Sequence, residues 1–80
     1  MKENELNSIQ KQSIFFRIRE TSDMMNAMRE GNPSIHIVNE IDRDTEELKH
    51  IRNATRLAHI EQLKDIDRRL LQIEQKYCLK

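Results

Sequence analysis

Arg29-Glu30-Gly31-Asn32-Pro33-Ser34 is the one strong break in this chain's helical pattern. A residue without a Cβ suits the left-handed position just past a helix end, so Gly31 is expected there. Asn32 can then cap the next helix through its side-chain oxygen, with Pro33 at the first helical position, where a missing N–H costs nothing. Two helices joined by so short a link should double back as an αα-hairpin. Working outward, the pattern places helix 1 at about residues 3–30, the turn at 31–33 and helix 2 at about 34–77. Thr21-Ser22-Asp23 favour caps and turns over helix interiors, so helix 1 is expected to kink there or restart.

Composition supports long helices. The 80 residues are 36% hydrophobic and 35% charged, with 14 basic and 14 acidic side chains, one Gly and one Pro. That is too little punctuation for a many-stranded fold and too short a chain for a TIM barrel of about 250 residues. A formal net charge of zero removes the uniform basic field of a typical nucleic-acid binder. Cys78 is the one cysteine, so no internal disulfide can form and a reduced thiol is expected. No stretch approaches the ~18 apolar residues of a membrane span. Met1-Lys2-Glu3-Asn4-Glu5 carries acids with no apolar run behind it, unlike a secretory signal, which gives a cytoplasmic expectation.

Helix 2 carries the clearest periodicity. Ile37, Ile41, Leu48, Ile51, Thr55 and Ala58 line one side, and Leu63, Ile66, Leu70, Ile73 and Tyr77 continue it. The last five alternate steps of three and four, a heptad seam as in coiled coils. The longer step from Ala58 to Leu63 reads as a local relaxation of the supercoil. On helix 1, Ile14, Ile18, Met25 and Met28 share a side while Ile9 and Phe16 point away from it; on helix 2, Leu57, Ile60 and Leu71 form a second stripe. Met24, Met25 and Met28 read as adaptable filler beside the turn.

Length then argues for assembly. Helix 1 would be about 42 Å long and helix 2 about 66 Å, so helix 1 runs out opposite residue 60. Leaving Leu63, Ile66, Leu70 and Ile73 in water would forfeit about 1.5–3 kcal/mol each. The expected fold is an all-α antiparallel helical hairpin with a longer second helix, completing a four-helix bundle or coiled coil by oligomerisation. A two-fold dimer is the simplest closed form, and a hetero-complex satisfies the same need. Ile9, Phe16, Leu57, Ile60, Leu63, Ile66, Leu70 and Ile73 are the expected partner or oligomer interface.

Catalytic and metal patterns are poor. His36 and Glu40 lie four apart on one face, but two ligands without a third make a weak site. His50 and His59 fall on opposite sides of a helix. Asp42-Arg43-Asp44-Thr45-Glu46-Glu47 lacks the turning Gly of a calcium loop. Ser8, Ser13, Ser22 and Ser34 have no histidine placed as a base. No enzyme activity, cofactor, metal or small-molecule substrate is expected. The functional expectation is a protein-binding module: a small regulator, adaptor, inhibitor or chaperone.

Two other classes stand beside it. One is a structural subunit of a helical filament or secretion apparatus. Asn32-Pro33-Ser34, Arg52-Asn53-Ala54-Thr55 and Lys64-Asp65-Ile66-Asp67 look faintly like the subunits of type III secretion needles, which are helical hairpins with a Pro-containing turn. These are scattered positions, and the chain is more charged than such subunits usually are. The other class is a dimeric nucleic-acid binder using Arg52, Arg56, Lys64, Arg68, Arg69, Lys76 and Lys80, where interleaved acids argue against phosphate contact.

Overall fold

A computed structural model describes residues 3–77, with side chains from Ser8 onward. Three helices make up the described residues: α1 (Glu3–Glu30), α2 (Ile35–Leu57) and α3 (Ile60–Tyr77). Each packs against the other two. α1 and α2 pack against each other across the turn that joins them. α3 then turns back at Ala58–His59, antiparallel to α2 and alongside α1, giving an up-down-up bundle with extents of 47 × 18 × 16 Å.

The single second helix over 34–77 is therefore corrected: it is two helices. The local reason lies at the step from Ala58 to Leu63. Ala58 leaves the helix with φ −76° and ψ 146° while its N–H still bonds Thr55 O at 3.3 Å. The N–H of His59 donates to Gln62 Oε1 at 2.9 Å. A Gln at the third position of a helix reaching back to the cap N–H is half of a capping box. The extra residue thus turns the chain instead of relaxing a supercoil.

Folding back changes what covers the seam. Leu63, Ile66, Leu70 and Ile73 are buried against Ile14, Ile18, Met25, Ile41, Leu48, Ile51 and Ala58 of the same chain. The physical premise for assembly, an overhanging seam left in water, is removed by α3 itself. Two polar residues complete the core. Thr21 is fully buried within an uninterrupted α1, so no restart occurs at 21–23. Thr55 is also fully buried, and its hydroxyl donates to Ile51 O at 2.7 Å, satisfying the oxygen without leaving the helix.

The first turn is built differently from the expectation as well. Asn32, not Gly31, takes the positive φ, at 56°. Asn tolerates that region better than most residues with a side chain. The cap of α2 is Ser34, whose Oγ accepts from Ile37 N at 3.4 Å. Arg29 on α1 pairs with Asp42 on α2 at 2.8 Å and holds this end of the hairpin.

Candidate interaction surface between helices 1 and 3

An open groove of about 460 Å³ lies between α1 and α3. Gln10, Ser13, Ile14 and Arg17 form one wall; Leu63, Lys64, Asp67, Arg68 and Leu71 form the other. These positions are fixed by the core. Ile14 and Leu63 point inward, and Gln10, Arg17 and Asp67, one turn away at the edges of the same faces, line the groove beside them.

Arg17 spans the groove floor. Its guanidinium donates to Asp67 and, through two nitrogens, to Glu74, the Nε bond measuring 3.2 Å. The fork geometry of Arg suits two carboxylates on one neighbouring helix. Its pKa rises above the ordinary value, first through the hydrogen bond to Glu74, against the opposing effect of burial. Lys64 and Arg68 on the same wall form no ion pair among the described residues, and the groove is left net positive.

The expected interface residues separate into two groups. Leu63, Ile66, Leu70 and Ile73 lie in the core and are not available on the folded bundle. Ile9 (54% exposed), Phe16 (61%) and Leu57 (85%) remain on the surface, and Ile60 is half-buried. Ser13 lines the groove four residues after Ile9 and three before Phe16, which places both apolar side chains beside its rim. Ile60 stands four residues before Lys64 on the opposite wall, and Leu71 (37% exposed) is itself part of that wall. Of the four, Leu71 lines the groove itself, while Ile9, Phe16 and Ile60 stand within one helical turn of its lining residues. Leu57 is elsewhere, in a separate cleft with Ala54, Ala58, Gln62, Asp65 and Ile66.

A second cluster ties α3 to α2. Asp44 is 9% exposed and occupies the seam position between Ile41 and Leu48. It accepts from the Tyr77 hydroxyl at 2.6 Å and from Lys76 Nζ at 3.3 Å, while Lys76 also reaches Glu40 at 3.1 Å. Burial, reinforced by the hydrogen bond to Asp44, pushes the Tyr77 phenol above its ordinary pKa. Lys76 is raised too, chiefly by its hydrogen bond to Glu40. Periodicity missed Asp44 because a carboxylate breaks an apolar pattern; the seven-residue gap from Ile41 to Leu48, filled by an acid at heptad spacing, was the available signal.

Other sequence readings are placed as follows. Arg69 pairs with Glu47, and Lys76 with Glu40 and Asp44, so two bases of the distal segment are held by α2. Glu46 and Lys49 meet at 3.5 Å. His36, His50 and His59 are all exposed, and no group of three metal-ligating side chains comes together among the described residues. Cys78 and Lys80 lie outside the described residues. No helix among the described residues is long and apolar enough to cross a membrane. Compared with known families, with curated proteins and with solved structures, the chain matches none.

Proposed function

We propose that this protein is a non-enzymatic binding module that docks an amphipathic helix of a partner protein into the α1–α3 groove. The observation that carries the reading is a groove wall that joins Leu71 to Lys64 and Arg68, with exposed Ile9 and Phe16 within one helical turn of Ser13 on the facing wall. A helix laid there would complete a four-helix bundle, with apolar anchors repeating every three to four residues. The unpaired bases favour a partner whose anchors are flanked by Asp or Glu, since matched charge fixes orientation and speeds encounter. A regulator, adaptor, inhibitor or chaperone all act through such a surface.

A titration followed by NMR tests this directly. An amphipathic peptide helix with acidic flanks should shift amide signals at Ser13, Arg17, Lys64, Arg68 and Leu71. The same apolar face with basic flanks should bind far more weakly. Phe16→Glu with Leu71→Glu should abolish the shifts while leaving the melting temperature within a few degrees of the parent. Shifts spread evenly over the bundle, or indifferent to peptide charge, count against the groove.

One observation favours a second reading. Exposed apolar side chains occur toward both ends of the rod, with Ile9 and Leu57 near one and Met24, Met28, Ile35 and Ile37 near the turn. End-to-end contacts between copies would build a filament, and mass that grows without limit with concentration distinguishes it from a closed complex.

A further inference from the structure

The link between α2 and α3 is only Ala58 and His59, and it contains neither Gly nor Pro. Ala is the best helix former and His an ordinary one, so neither residue forbids a helix that runs through the link. Close at hand, the turn is held by the Ala58 N–H to Thr55 O and the His59 N–H to Gln62 Oε1. Most of what keeps α3 folded back lies farther away: the burial of Leu63, Ile66, Leu70 and Ile73, the Arg17 clasp to Asp67 and Glu74, the Arg69–Glu47 pair and the Tyr77–Asp44 bond. None of these contacts requires α3 to come from the same chain as α1 and α2.

The break itself is costly, because ending one helix and starting another leaves backbone groups without helical partners. A helix running through Ala58 and His59 would satisfy them. Leu57, 85% exposed, stands at this link, where two straightened rods would pass each other and cover it. Short, tight links favour this kind of exchange, and it needs no new core because the old one is rebuilt between copies.

We propose that two copies of the chain exchange α3. In the exchanged dimer α2 and α3 become one helix over residues 35–77, and each α3 packs on α1 and α2 of the other copy. The groove between α1 and α3 is rebuilt twice, so the exchange does not depend on the function proposed for it.

Charge reversal across the clasp distinguishes exchange from any side-by-side dimer. One chain carries Arg17→Glu, and the other carries Asp67→Arg with Glu74→Arg. Alone, each sets like charges against each other between α1 and α3. In a mixed exchanged dimer both bundles recover opposite charges, whereas mixed unexchanged chains recover none. Refolded together in equal amounts, the two should give a species of twice the chain mass that melts above either alone. Adding His59→Pro to both should remove it: the change gives up the His59 N–H bond to Gln62, but the extended Ala58 suits a residue before proline, whereas a through-helix does not. A mixture that behaves as the sum of its parts, or a dimer that survives His59→Pro, overturns the proposal. A second arm uses the unaltered clasp and therefore does not depend on the charge variants folding. The parent chain refolded at high concentration should yield a dimer absent from His59→Pro, and a parent that stays monomeric throughout overturns the proposal equally.

Discussion

The Tyr77 hydroxyl lies 2.6 Å from Asp44 Oδ2, so the last turn of α3 is fastened to a carboxylate buried on α2. Lys76 sits on the same oxygen at 3.3 Å. The carboxylate thus occupies a core position without being left unpaired, a situation that would cost several kcal/mol.

Alkaline titration should reveal this cluster. Tyr77 and Lys76 both keep their protons more tightly in the fold than in the unfolded chain. Their contribution is complete below the ordinary tyrosine pKa of about 10 and is lost as pH climbs past it, because the unfolded chain releases protons first. The melting temperature should therefore fall above about pH 10, and Tyr77→Phe should make that fall shallower. At neutral pH the same variant should lose about 1.5–3 kcal/mol, as for a hydrogen bond to a charged group. Equal alkaline slopes in parent and variant would remove Tyr77 from the account.

Leu70 and Leu71 are neighbours with opposite fates. Leu70 is fully buried at 0% exposure, while Leu71 is 37% exposed on the groove wall. Leu70→Ala should cost about 2–5 kcal/mol in urea unfolding, a large share of the stability of so small a domain. Leu71→Ala should stay within about 0.5 kcal/mol. Similar costs for both would mean that α3 does not present this face to the core.

The turn gives a test of sign. Gly31 does not take a positive φ, and a Cβ there would meet Met28 O at 3.4 Å, an ordinary contact. Gly31→Ala should therefore stabilise by about 0.4–1 kcal/mol through the unfolded chain. Asn32→Gly should also be tolerated, since Asn32 holds the left-handed conformation. Thermal unfolding of the two variants decides; a clear loss in Gly31→Ala would restore the left-handed glycine expected from sequence.

Arg17 invites a double-mutant cycle. Its side chain is 27% exposed and that of Glu74 15%, between the surface pairs worth less than 1 kcal/mol and buried pairs whose breaking costs 3–5. Arg17→Met and Glu74→Gln should show a coupling of about 1–2 kcal/mol that shrinks in high salt. A coupling of zero would reduce the clasp to a surface ornament.

How much of this was legible beforehand follows from particular residues. The span of α1, the turn after Glu30 and the apolar positions of all three helices follow from period and punctuation. The fold-back at Ala58–His59 carries no Gly or Pro. Its trace was a step of five in the seam and a Gln placed to cap, and both also fit a continuous helix. Thr21 lies in the core, and Asp44 sits beside it because Tyr77 and Lys76 reach its carboxylate only once the helices are assembled, which periodicity cannot register. The groove was half visible: Ile9, Phe16 and Ile60 stood out as surplus apolar residues, but Lys64, Arg68 and Leu71 join them only because α3 returns beside α1.

The return of α3 is the claim on which the rest depends. X-ray scattering from the monomer fraction of a sizing column measures it most directly. The account predicts a radius of gyration a little above the 13.8 Å of the Cα trace and a longest dimension a little above its 47 Å extent. A monomer extending to about 66 Å, the length of one helix over residues 34–77, would contradict it.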